Sequence, residues 1–233
     1  MNKTGFKHNW QGEADCSNCA IRNSVLFAGL EPTECERLHR PIDDFILPPH
    51  SKLYRAGEAA QYLYTIRKGL LKLVQYLPDG RQRIVRLLRD TDVTGLEAMR
   101  GQPYQHDAIV LQQAEICRLP LDEVRRLDRE SPKLHHELMT RWQRALDEAD
   151  AWLTQLATGS ARARMARLLL RLAHFDERPC ELFGREDMGS MLGITTETAS
   201  RIIAEFRRGG IIRDAGAEAV HCDIRALENI AAD

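Results

Sequence analysis

The stretch REDMGSMLGITTETASRIIA, residues 185–204, decides the reading of this chain. It contains two short helical segments joined at Gly193, the first running from about Arg185 to Leu192. Gly189 leaves room for a second helix to cross close by, and Gly193 stands where a tight turn needs positive φ. Met188, Leu192, Ile194, Ala199 and Ile202 have the spacing that packs two crossing helices together. Thr195 or Thr196 can cap the second helix. An ordinary helical hairpin shares the apolar spacing but does not need both small residues at these positions. The pattern is a helix-turn-helix. After it, Arg207-Arg208-Gly209-Gly210-Ile211-Ile212 ends the helix and starts a strand. A turn at Ala215-Gly216 and a strand over Ala219 to Cys222 complete a wing, and Asp223 can cap a last short helix.

On the second helix Glu197, Ser200 and Arg201 are not committed to packing and lie near its N-terminal end. That end enters the major groove of DNA in this motif. A Glu can accept from cytosine N4, and an Arg can grip guanine O6 and N7 with two bonds. One acidic and one basic reader, a turn apart, can therefore address one G·C pair. The plain alternative is an i, i+4 salt bridge on a solvated face, and the two roles are compatible. Thr195 and Thr196 flank the readers, and Arg207 and Arg208 stand at the far end, suited to phosphates.

The remaining composition agrees with a local DNA-binding surface and excludes several other classes. The 233 residues carry a net charge of −1, with 43% hydrophobic and 29% charged residues. Such a chain is soluble and globular and does not coat nucleic acid, so any DNA-binding surface is local. There is no apolar run long enough to span a membrane and no signal-peptide core, which implies a cytoplasmic protein. No nucleophile stands at a fitting distance from a base, and there is no phosphate-cradling Gly loop and no HExxH. The chain is therefore not expected to be an enzyme. The other class to weigh is a nucleotide-binding module whose C-terminal half binds protein, and the reading residues argue against it.

Upstream of the motif the texture changes twice. Residues 1–23 are polar and read as an arm bearing the pair Cys16 and Cys19 in ADCSNCAIRNSVLF. LEPTECERLHRPI, residues 30–42, has the spacing of a short helix. From about Phe45 to Leu119, short apolar runs alternate with Gly57, Gly69, Gly80 and Gly95, as in a small β-barrel or roll. PLDEVRRL opens a short helix, and SPKLHHELMTRWQRALDEADAWLTQLATG a long one. Leu138, Trp142, Ala145, Ala149, Trp152 and Leu156 are spaced 4, 3, 4, 3, 4, which is a heptad seam for a homodimer. A second stripe, Met139, Leu146 and Leu153, repeats every seven on an adjacent face; one stripe would meet a partner helix and the other the β-domain. The expected organisation is an arm over 1–23, a sensor roll over 24–130, a dimerisation helix over 131–159 and a winged helix-turn-helix over 160–233. The fold class is α+β.

This layout resembles the CRP/FNR family of bacterial transcription regulators. G-E-x-x-x-x-L-Y-x-I-x-x-G, from Gly57 to Gly69, is similar to its β-roll signature, and E-T-A-S-R, Glu197 to Arg201, resembles the E-x-x-S-R reading motif of the FNR branch. The resemblance implies a dimer that reads TTGAT…ATCAA palindromes through Glu197, Ser200 and Arg201 and has RNA polymerase as a partner. Cyclic-nucleotide-binding members carry Gly-Glu and then Arg-Ser or Arg-Thr. Here Glu97 is present, but Gln105-His106-Asp107 stands in place of Arg-Ser, and an Asp there repels phosphate. In the FNR branch an N-terminal cysteine group and one distant cysteine hold a four-iron four-sulfur cluster. Cys16 and Cys19 resemble the first pair and Cys117 the distant one, but Val25 occupies about the position of the third cysteine. Cys35, His8, Asp15 and His50 are other donors. A cluster, zinc, dithiol chemistry, haem or another small ligand, or no active sensor cysteine all stay open as readings. Cys180 and Cys222, in the DNA-binding region, read most simply as structural.

Overall fold

A computed structural model describes residues 9–14, 19, 26, 41–173, 179–216 and 219–232. The described residues fall into two compact units, one within Met1–Gln75 and Arg86–Asp147, the other within Tyr76–Val85 and Glu148–Asp233. The division falls within the long helix, in the segment 131–159. The short helix expected over 30–42 falls almost wholly outside the described residues.

The first unit is built on a sheet of β1 (Trp10–Glu13), β2 (Asp43–Leu47), β3 (Lys52–Tyr54), β4 (Tyr62–Tyr76), β5 (Gln82–Leu88), β6 (Val93–Thr94) and β7 (Asp107–Pro120). Its order is β1-β2-β7-β4-β5, with β3 added to β7 and β6 to β4. The long partners β4 and β7 slip register between Ile66 and Leu71, and Gly69 sits in that irregularity. Its φ is +108°, and a Cβ there would lie 2.4 Å from the Gln113 carbonyl oxygen and 2.8 Å from Ala114 Cα. Only Gly combines that backbone angle with that approach. Gly69→Ala is therefore expected to lower stability by about 2 kcal/mol or more. An unchanged chemical-denaturation midpoint would show that the strands can part at no cost.

The roll is closed by α1 (Leu121–Glu130) and the start of α2 (Pro132–Ala151). Leu63, Val93, Leu96, Leu119, Val124, Leu127, Leu134 and Leu138 form one buried cluster. α2 is followed by a wider π-turn, Trp152–Leu156. This arrangement buries part of the expected seam within one copy. Leu138, Trp152 and Leu156 are 2, 7 and 0% exposed, whereas Met139, Leu146 and Leu153 are 46, 54 and 66% exposed. Leu138 belongs to the roll's core, and the π-turn carrying Trp152 and Leu156 packs on α3 (Ala161–Leu172). The outward stripe is therefore Met139, Trp142, Leu146, Ala149 and Leu153, again spaced 3, 4, 3, 4. Ala149 within it and Ala145 beside it are half-buried.

The second unit holds α3, β8 (Cys180–Glu181), α4 (Arg185–Leu192), α5 (Thr196–Arg208), β9 (Ile212–Asp214), β10 (Ala219–Cys222) and α6 (Ile224–Ala231). The three strands pair in the order β8-β10-β9. Ser160 caps α3 by accepting from Ala163 N, and Asp223 caps α6 by accepting from Ala226 N. Arg167 donates to three carbonyls, those of Gln155, Thr158 and Ala231. Two of these elements thus have carbonyls near their C-terminal ends satisfied by one guanidinium.

Candidate nucleic-acid interface and sensor cysteines

The helix-turn-helix forms as its residues dictate. A Cβ on Gly189 would lie 2.8 Å from the Ile194 carbonyl oxygen, so the crossing is as close as a glycine allows. Gly193 ends α4 at φ 64°, in the left-handed region. Thr195, rather than Thr196, is the cap of α5, accepting from Thr198 N at 3.2 Å. Ala199, Ile202, Ile203 and Phe206 bury the inner face of α5. Thr195, Thr196, Glu197, Ser200, Arg201, Arg207 and Arg208 are all exposed.

The reading residues are held locally and lightly. The Glu197 carboxyl is kept below its usual range by its own backbone N–H, by the Thr195 hydroxyl and by the charge of Arg201. It is therefore an ionised acceptor at neutral pH. Arg201 Nη2 donates to Thr198 Oγ1 at 3.3 Å, a single weak tether that leaves most of the guanidinium's donors for a base edge. At the far end, Arg207 pairs with Asp214 of the wing at 2.9 Å. Sequence reasoning missed that pair, because Asp214 lies on the next strand and no helical spacing points to it.

The cysteines are distributed less simply. Cys16 lies outside the described residues, as do Cys35 and Val25. Cys19 and Cys117 are half-buried. Cys117 pairs across the sheet with Asp44 of β2 on one side and Thr65 of β4 on the other. Arg67 forms an ion pair with Asp44. Burial acts to lower the pKa of Arg67, but Asp44, Cys117 and Cys19 together raise it. Cys19 and Cys117 thus lie within electrostatic reach of one guanidinium, a neighbour that sequence spacing could not reveal. Among the described residues, no group of three or more His, Cys, Asp or Glu side chains is disposed to hold a metal ion.

The stretch comparable with a cyclic-nucleotide site is already occupied by its own contacts. Asp107 is buried, accepting from Lys52 Nζ at 2.7 Å and from Ala56 N at 2.9 Å. Burial works to raise its pKa, but these donors hold it below the usual range, so it is an anion. Glu97 accepts from Gln105 N at 3.1 Å. Tyr54 and Tyr104 stack with their centroids 4.0 Å apart. Burial pushes the Tyr104 phenol up to about 12.

Comparison with known proteins agrees with this architecture. The model of the cyclic nucleotide-binding domain matches residues 45–131, and that of the Crp-like helix-turn-helix domain matches residues 163–230. The transcriptional regulator LdrP of Thermus thermophilus is 31% identical over 182 residues, which are 76% of this chain and 90% of that protein. The chain belongs to the CRP/FNR family of transcriptional regulators. The transcriptional activator protein FnrA of Stutzerimonas stutzeri is 24% identical, over 94% of this chain and 91% of its own. The structure of FixK2 from Bradyrhizobium japonicum has a TM-score of 0.74 at 25% identity, covering 82% of this chain and 98% of that one.

Membership makes the chain a transcriptional regulator with a DNA-binding helix-turn-helix, and its relatives are regulators rather than enzymes. No described helix is long and apolar enough to cross a membrane. In the stretch comparable with a cyclic-nucleotide site, the Asp107 carboxylate is paired with Lys52. Of the three cysteines that resemble cluster ligands, Cys19 and Cys117 are among the described residues.

Proposed function

We propose that the protein is a homodimeric, sequence-specific transcription regulator that reads a TTGAT-type palindrome with Glu197, Ser200 and Arg201. The observation that carries this reading is the two-sided nature of α5. Its inner face is committed to the core, while an ionised Glu and a lightly tethered Arg stand exposed at its N-terminal end. The exposed stripe Met139, Trp142, Leu146, Ala149 and Leu153 supports pairing with a second copy. A two-fold dimer in turn requires a two-fold operator. Relatives named as activators support RNA polymerase as a further partner. Arg67, a charged neighbour that Cys19 and Cys117 share, supports a response to oxygen, nitric oxide or redox state through the thiols of the roll.

The test is a titration of a labelled TTGAT palindrome and of a scrambled duplex at several salt concentrations. A clear preference for the palindrome is expected. Replacing Arg207 and Arg208 by Gln should weaken both duplexes alike and reduce the salt slope by about one for each phosphate that is no longer neutralised. Equal affinity for the two duplexes at every salt concentration would end the palindrome reading. For the sensor, Cys117→Ser is expected to abolish any difference in palindrome affinity between protein kept free of oxygen and protein exposed to air. A difference that persists at full size places the signal elsewhere.

A further inference from the structure

We infer that Cys180 and Cys222 form a second, redox-active dithiol inside the DNA-binding unit, which closes to an intramolecular disulfide under peroxide. Its effect on DNA rests on the reading of α5 given above; the dithiol itself does not. The geometry comes from the small sheet. Cys180 of β8 stands opposite Val220 of β10, and Cys222 is two residues farther along β10. Opposed residues and their i+2 neighbours share one face of a sheet, so both thiols project to the same side. The Cys180 thiol donates to the Glu181 carbonyl oxygen at 3.8 Å, and it also acts electrostatically on the Cys222 thiol that shares its face of the sheet.

The two cysteines are unequal in a way that assigns their roles. Cys180 is 1% exposed, whereas Cys222 is half-buried and within reach of solvent. The Cys180 thiol lowers the Cys222 pKa and outweighs the opposing effect of burial. Cys222 is therefore the nucleophile and Cys180 the resolving thiol. The Cys222 thiolate attacks one oxygen of hydrogen peroxide, and the O–O bond breaks. The departing hydroxide takes up the thiol's proton and leaves as water, and Cys222 becomes a sulfenic acid. The Cys180 sulfur then attacks the Cys222 sulfur, the S–O bond breaks, and the hydroxide leaves as water with the Cys180 proton. Two thiols and one peroxide give one disulfide and two waters.

Closure has a mechanical consequence. Diagonal positions on paired strands have Cα atoms about 7–8 Å apart, and a disulfide prefers about 5.5–6 Å. Bond formation must draw β8 along β10. Only Leu182, Phe183 and Gly184 separate β8 from α4, so the shift reaches the helix-turn-helix directly. A bond made under such strain is also easily reduced, as a reversible switch requires.

The experiment treats the full chain with hydrogen peroxide, blocks the remaining thiols, and maps cross-linked peptides by mass spectrometry beside palindrome affinity. A Cys180–Cys222 cross-link is expected, with a mass loss of about 2 Da that dithiothreitol reverses. Affinity should fall about five-fold with it. Cys222→Ser should lose both changes, and in Cys180→Ala a sulfenic acid should be trapped at Cys222. Thermal melts of both variants check that they are folded. If Cys222 stays a thiol, or oxidises without joining Cys180, the dithiol is refuted. If Cys222→Ser loses affinity under peroxide as wild type does, the switch is refuted. Failure of the reduced protein to prefer the palindrome would instead defeat the DNA reading, because the peptide map does not depend on it.

Discussion

Leu146→Glu is expected to turn the protein into a folded monomer that no longer binds a palindrome specifically. Leu146 is 54% exposed within one copy, so its replacement leaves the core of that copy intact. In a two-fold seam it meets its own copy across the axis, and the substitution introduces two like charges into an apolar stripe. Leaving a buried carboxylate unpaired costs several kcal/mol, enough to dissociate a dimer held by one helix pair. Sedimentation velocity at micromolar concentration, with circular dichroism to check the fold, reads the outcome. Trp152→Glu is the contrasting control. Trp152 is buried against the protein's own α3, so that change should lower the melting temperature rather than only the association state. A Leu146→Glu protein that sediments as a dimer would remove the stripe from consideration as the interface.

That pair of substitutions also marks how far the sequence could be read. The helix-turn-helix was legible almost residue by residue. Its determinants lie within 20 residues: two glycines, a cap and an apolar pattern fixed by one close crossing. Gly80, one of the glycines that alternate with short apolar runs, likewise has a positive φ. The long helix was legible as a helix, but its outward face was not. Both stripes repeat every seven residues, and the choice between them depends on what covers Leu138, Trp152 and Leu156. The roll's core covers the first and α3 the other two, and neither contact leaves a mark on the helix's own periodicity. The cysteines were the least legible. Cys117 gains its neighbours Asp44 and Thr65 from strands about 50 to 75 positions away in the chain. Cys180 and Cys222, read singly as structural, are joined only by the register of β8 on β10.

Arg201→Ala should cost about 1–3 kcal/mol per half-site, or roughly 2–6 kcal/mol for a palindrome if the half-sites add. The loss should be selective. Arg201 has one side-chain tether, to Thr198, and its remaining donors can form the two-bond grip on guanine that carries sequence information. Arg207 is different: it is paired with Asp214, lies at the other end of α5 and is suited to a phosphate, which is the same on every sequence. The measurement is a competition among duplexes that vary the half-site guanine. Wild type should rank them steeply. Arg201→Ala should bind them all at about the wild-type affinity for the worst, while its affinity for random DNA barely changes. Glu197 sharpens the comparison. Held ionised by its own N–H and by Thr195, it can accept from cytosine but repels a base edge that offers only acceptors. Glu197→Ala should therefore relax selection for the cytosine of that G·C pair without abolishing the guanine preference that Arg201 sets. Equal losses on specific and random DNA for Arg201→Ala would mean that this arginine contributes only charge. The two-sided helix would then present its readers to something other than a base edge.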